Sequence, residues 1–161
     1  MAISVQDLLH HQAWADALFF RAWEASGAQE DEELRQRVDH ILSVQEVFRK
    51  LIQGEKPELN QGPPPIFADL KARCVASHQA LEALVAGLGE AKLARTLRVP
   101  FFPDPPCVIS VEDALVQACM HSQHHRGQCM SRLVALGASA RNVDYIIWLW
   151  KGRPKPRWDA S

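Results

Sequence analysis

The chain has 161 residues, of which 47% are apolar, and a formal net charge of −1 at pH 7. That length suits one domain over residues 1–161 with a real core, and the apolar share excludes a disordered chain. Balanced charge argues against a nucleic-acid partner, which usually demands a basic face. The one basic cluster, Lys151, Arg153, Lys155 and Arg157 around Pro154 and Pro156, reads as a solvated terminus.

The first residues, Met-Ala-Ile-Ser-Val-Gln, carry neither the basic start nor the apolar run of a signal peptide. The apolar stretch Tyr145–Trp150 is too short to span a bilayer. The expectation is a cytoplasmic protein with no membrane partner. Cys74, Cys107, Cys119 and Cys129 form no Cys-x-x-Cys pair and are expected to be free thiols.

Helical periodicity dominates. A first helix begins at Ser4, with Asp7 three residues on as in a capping box, and ends near Ser26-Gly27. Leu8, His11, Ala15, Leu18 and Ala22 form its inner face. The acidic run Glu30–Glu33 opens a second helix, because carboxylates suit the positive end of a helix dipole. Leu34, Val38, Ile41, Val44, Phe48 and Leu51 make its buried stripe, and Gly54 stops it. Pro57 and Pro63–Pro65 make a loop. A third helix is expected from about Ile66 to Leu88. Four prolines between Pro100 and Pro106 forbid a long helix there, so residues 90–109 read as a loop with a short hairpin. Ser110, with Asp113 three residues later, opens a fourth helix ending at Gly137. Its predicted stripe is Val111, Leu115, Ala118, Ser122, His125, Cys129, Leu133 and Leu136. A short fifth helix from about Asn142 to Trp150 is apolar on most sides, so it should be well buried or packed on another chain. The fold class is therefore all-α: an up-down four-helix bundle with a short fifth C-terminal helix and a proline-rich connection before helix four.

The informative histidines lie in Cys119-Met-His-Ser-Gln-His-His-Arg-Gly-Gln-Cys129. His121 and His125 are four apart, which on a helix leaves their directions roughly 40° apart and lets both rings reach one ion. Two imidazoles near an apolar face need either a shared metal or hydrogen bonds to buried carboxylates. His124 falls on a more polar flank with Gln117 and Gln128. A third ligand must come from another helix, and periodicity leaves His11, His40 and His78 as alternatives.

His121-Ser-Gln-His-His125-Arg126-Gly127-Gln128, Trp14-Ala15-Asp16 and Asp39-His40-Ile41-Leu42 resemble motifs of the DinB-like (DinB/YfiT) family of bacterial metalloenzymes. The resemblance covers nearly the whole chain and implies a metal held by His40, His121 and His125 in a four-helix bundle. It departs from the family pattern at His11 and at Cys129, where an aromatic and an aliphatic residue are usual. His11 is therefore a further imidazole near the site, and Cys129 a thiol or, more plainly, a small buried hydrophobe one turn from His125. Glu46, Arg126 and Gln128 complete the expected surroundings, with Arg126 paired to Asp144 or Glu46.

Three neutral imidazoles leave an ion its positive charge and open positions for water or substrate. Zinc or nickel suits such a set first, then iron or manganese. A water or a thiol held there ionises readily, which gives two enzyme readings: hydrolysis, or transfer of a small-molecule thiol to an electrophile. The rival is a metal- or ligand-binding bundle without turnover. Expected partners are a small-molecule substrate, a low-molecular-weight thiol and a second copy in a homodimer, to which Trp148, Trp150 and Trp158 contribute. Metal should leave near pH 5 to 6 in rough terms, as imidazoles protonate.

Overall fold

The computed structural model describes residues 3–58, 62–139 and 141–159. Its elements are α1 Val5–Ser26, α2 Glu32–Gln53, α3 Phe67–Ala86, α4 Glu90–Leu93, β1 Thr96–Val99, β2 Cys107–Ser110, α5 Val111–Ala135 and α6 Tyr145–Trp150. The expected fourth and fifth helices are thus α5 and α6. The molecule is an all-α bundle with one two-stranded hairpin.

Local chemistry sets the helix ends. The Ser4 hydroxyl accepts from the Asp7 amide, and Asp31 accepts from Leu34 at the start of α2. Ser110 and Asp113 form the reciprocal capping box of α5. Gly27 and Gly54 close α1 and α2 in the left-handed region, at φ 73° and 78°, where a Cβ would be strained.

Side-chain pairs fix the helix directions. Asp31 pairs with Arg132, and Gln45 bonds Ser122, so α2 and α5 are antiparallel. Arg73 pairs with Asp39, and Ser77 donates to Gln45, so α2 and α3 run parallel. Glu24 meets Lys71 and Asp16 meets His78, so α1 and α3 are antiparallel. The order refines to up, down, down, up. The connection of residues 54–66 can cover this return, since it reaches up to roughly 45 Å against a helix of about 33 Å.

Two main core clusters fill the bundle. One packs Phe48, Ile52, Leu81, Val111 and Leu115 beneath the hairpin residues Leu97 and Val99. The other packs Phe20, Trp23, Leu34, Leu42, Leu70 and Leu133 towards the opposite end. The hairpin pairs Thr96 with Ser110 and Val99 with Cys107. It closes the end where α2 finishes and α5 begins, where Arg95 donates to the Ile52 carbonyl.

The helix α6 is less buried than its composition predicts. Trp148 is enclosed, with its indole N–H on the Pro154 carbonyl, but Ile146 and Trp150 are exposed. Trp158 lies half-buried against Phe20 and His78. Of the three tryptophans expected at a dimer contact, only Trp150 therefore lies open. A six-residue helix has too little length to turn all its apolar side chains inward. No helix among the described residues is long and apolar enough to cross a membrane.

Candidate metal centre

The antiparallel α2–α5 seam brings His40, His121 and His125 together. One ring nitrogen from each lies within 4.8 Å of the others. The ring centroids of His40 are 4.9 Å from His121 and 4.8 Å from His125, while His121 and His125 are 4.4 Å apart. The cluster lies at the edge of the bundle: His40 is exposed and the other two are half-buried.

The donor set fits a divalent ion on two counts. First, Nε2 of His40 lies 3.1 Å from Nε2 of His121. Two nitrogens on one tetrahedral zinc ion stand about 3.3 Å apart, given Zn–N distances of about 2.0–2.1 Å. Second, His40 and His121 are kept neutral, as ligands must be. Burial, then repulsion from His125, His40 and His124, pushes His121 down to about 4. Burial and His125 also lower His40. The buried Nδ1 of His121, directed away from Nε2, has no hydrogen-bond partner among the described residues.

Gln128 orients His125. Nδ1 of His125 lies 2.8 Å from Oε1 of Gln128, so an Nδ1–H donating there leaves Nε2 free to ligate. Arg37 also donates to that oxygen at 2.8 Å, and Glu33 holds Arg37. The amide nitrogen of Gln128 meets exposed His124. A chain of polar contacts thus runs Glu33–Arg37–Gln128–His125.

The other expected neighbours lie elsewhere. Glu46 pairs with Lys50 and Arg73, and Arg73 also engages Asp39. His11 bonds the Val143 carbonyl at 2.7 Å and packs on Tyr145 and Trp148, so it ties α1 to the segment before α6. Cys129 is fully buried in the core, and burial pushes its thiol up to about 12. That is an inert thiol, not a nucleophile.

Arg126 corrects the predicted stripe of α5. It is 1% exposed, whereas His125 sits half-buried at the edge. Its guanidinium pairs with Asp16 at 2.7 Å and also reaches Gln12 and Gln123, instead of Asp144 or Glu46. The other oxygen of Asp16 meets His78 at 2.8 Å. Burial pushes Asp16 up, but Arg126 and His78 outweigh it and hold the carboxyl below its usual range. Asp16, Cys74 and His78 also meet the spacing of a ligand group. Here the carboxylate is already satisfied by Arg126, and burial and Asp16 drive the Cys74 thiol well up, away from the thiolate a metal needs. This buried cross-link of α1, α3 and α5 went unpredicted. Its signal was one acid inside the apolar run Ala13–Phe20 and one arginine in step with Ser122, Cys129 and Leu133.

An all-α bundle with three converging imidazoles from two facing helices defines a helical protein built to present a candidate metal site. A model of the DinB superfamily matches residues 3–129, most of the chain, and the chain belongs to that superfamily, a metal-binding one. Comparison with curated proteins and with solved structures gave no match.

Proposed function

We propose that the chain is a metal-dependent enzyme acting on a small molecule, with the ion on His40, His121 and His125 and a low-molecular-weight thiol as co-substrate. The observation that carries this reading is the approach of three imidazoles across the α2–α5 seam, open to solvent on the His40 side. Zinc or nickel suits the all-imidazole set best. Such an ion supplies Lewis acidity, which lowers the pKa of a water or thiol brought to it.

Thiol transfer is favoured over hydrolysis by what surrounds the rings. Of the two groups that meet the ligand spacing among the described residues, the three-histidine one contains no carboxylate. Asp39 and Glu46, the acids nearest His40 along α2, are both engaged by Arg73. Among the described residues, the hydrogen bonds of the three rings run to one another and to Gln128, not to a carboxylate. A thiol asks for less help, since it starts more acidic. In the transfer, the sulfur–carbon bond forms as the bond from carbon to the leaving group breaks, and the thiol proton leaves to solvent.

Protein purified without a metal column should hold a stoichiometric transition metal by elemental analysis. A panel of thiols with alkylating and acyl electrophiles, run beside esters and amides, should show thioether or thioester formation that is lost in His125→Ala. Turnover of esters alone would replace thiol transfer by hydrolysis. Bound metal with no turnover on either panel would support a binding module. Protein that takes up no metal would overturn the reading.

A further inference from the structure

One turn along α5 from His121, towards the hairpin, the α2–α5 seam opens into a groove of about 440 Å³. Its floor is apolar: Phe48 from α2, Val99 and Ile109 from the hairpin, and Val116 from α5. Phe102 and Met120 line it while remaining 61% and 60% exposed, an unusual state for large apolar side chains.

The groove lies next to the candidate metal centre along the α2–α5 seam, although none of the three histidines lines it. Gln117, which lines it, stands four residues before His121, about 6 Å along the helix and on nearly the same face. Met120 immediately precedes His121, and Phe48 follows His40 by two turns on α2. The volume is that of a site for a small molecule, for which the usual range is about 300–1,000 Å³. Its polar lining is confined to Gln117 and Asp113. Asp113 is held ionised by its hydrogen bonds to Ser110, which disfavours an anionic tail.

We infer that this groove holds the apolar, uncharged tail of a small amphipathic substrate whose polar head reaches the three imidazoles. The inference rests on the metal-centre reading for the head and on the groove alone for the tail. Gln117 sits at the junction, where an amide can bond the polar link between the two ends. Specificity then lies in the hairpin, through Val99, Phe102 and Ile109, and the histidines serve any head that can ligate.

Straight-chain hydroxamates from acetohydroxamate to octanohydroxamate, titrated into the zinc-loaded full chain by calorimetry, test this directly. Affinity should rise about three- to fourfold per methylene until the groove is filled. Val116→Trp should abolish the gain and leave acetohydroxamate binding unchanged. Phe102→Ala, at an exposed position that does not threaten folding, should reduce it. Cys107 lines the groove and is half-buried, whereas Cys74, Cys119 and Cys129 are buried, so it reports occupancy. Octanohydroxamate at ten times its Kd should slow Cys107 labelling by an aromatic disulfide roughly tenfold, and acetohydroxamate should not.

Affinity independent of tail length overturns the inference. So does a length dependence untouched by both variants, or a Cys107 already shielded by a second copy of the chain. Failure of the metal reading looks different: no zinc uptake, or acetohydroxamate binding equally to His125→Ala. In that case protection of Cys107 by octanohydroxamate in the metal-free chain still decides the groove.

Discussion

At the scale of single residues, the site depends on keeping imidazoles neutral and aimed. Gln128→Ala removes the acceptor beside Nδ1 of His125. It should weaken metal binding about 10–100-fold, as loss of an orienting partner typically does, read by competition with a chromophoric chelator. His121, pushed down to about 4 by burial and its neighbours, binds fewer protons folded than unfolded between that value and the ordinary 6.5. Its contribution to stability is therefore complete above 6.5 and is lost as pH falls towards 4. Metal-free protein should lose stability over that window in urea titrations followed by circular dichroism. The histidine pair was legible in the sequence because four residues on a helix leave two side chains on one face. The degree of burial was not. The predicted stripe took in His125 and passed over Arg126, although Arg126 is in step with Ser122, Cys129 and Leu133. A guanidinium with Asp16, Gln12 and Gln123 around it can be buried, and no spacing within α5 reveals partners on another helix.

At the scale of elements, Asp16, Arg126 and His78 tie α1, α5 and α3 together at one buried point. Asp16→Leu leaves the arginine charge buried and uncompensated, which should cost about 3–5 kcal/mol in chemical denaturation. Asp16→Leu with Arg126→Met should regain most of that loss, since paired apolar replacements often match a buried ion pair. The carboxyl of Asp16 is held below its usual value of 3.8. Its stabilisation is therefore present above that value and lost as pH falls below it. The element boundaries were well marked in the chain. Ser4 and Ser110 cap where expected, α2 starts within the acidic run with Asp31 as its cap, and Gly27 and Gly54 end the first two helices. The helix directions were not marked. A loop rich in proline states that a helix has ended, without saying which end of the bundle the chain returns to. Only pairs such as Asp39–Arg73 reveal that α2 and α3 run parallel. The hairpin was legible in outline, as a short hairpin expected within residues 90–109 where prolines forbid a long helix. Its register needed Val99 and Leu97 to find the core beneath them.

At the scale of the whole molecule, an ion on His40, His121 and His125 would join α2 to α5, so binding and folding are linked. Zinc at a hundredfold excess over its Kd should stabilise the fold by about 2.7 kcal/mol, and calorimetry should show Tm raised by about 5–10 °C. His40→Ala should abolish the shift, and chelator should reverse it in the wild-type chain. An unchanged Tm in the presence of zinc would show that the seam holds no ion. The sequence by itself determined the helical class, the helix ends and the His121–His125 pair, because these depend on interactions a few residues apart along one rod. Spacing left His11, His40 and His78 open and the family resemblance pointed to His40; tertiary structure brings His40 to that pair, while His11 and His78 turn to other partners. It also decided that Asp16 and Arg126 share the core, and that an apolar groove opens beside the imidazoles. Those outcomes depend on how separate helices are rotated and paired, which is set by burying all their faces at once and is written in no single segment.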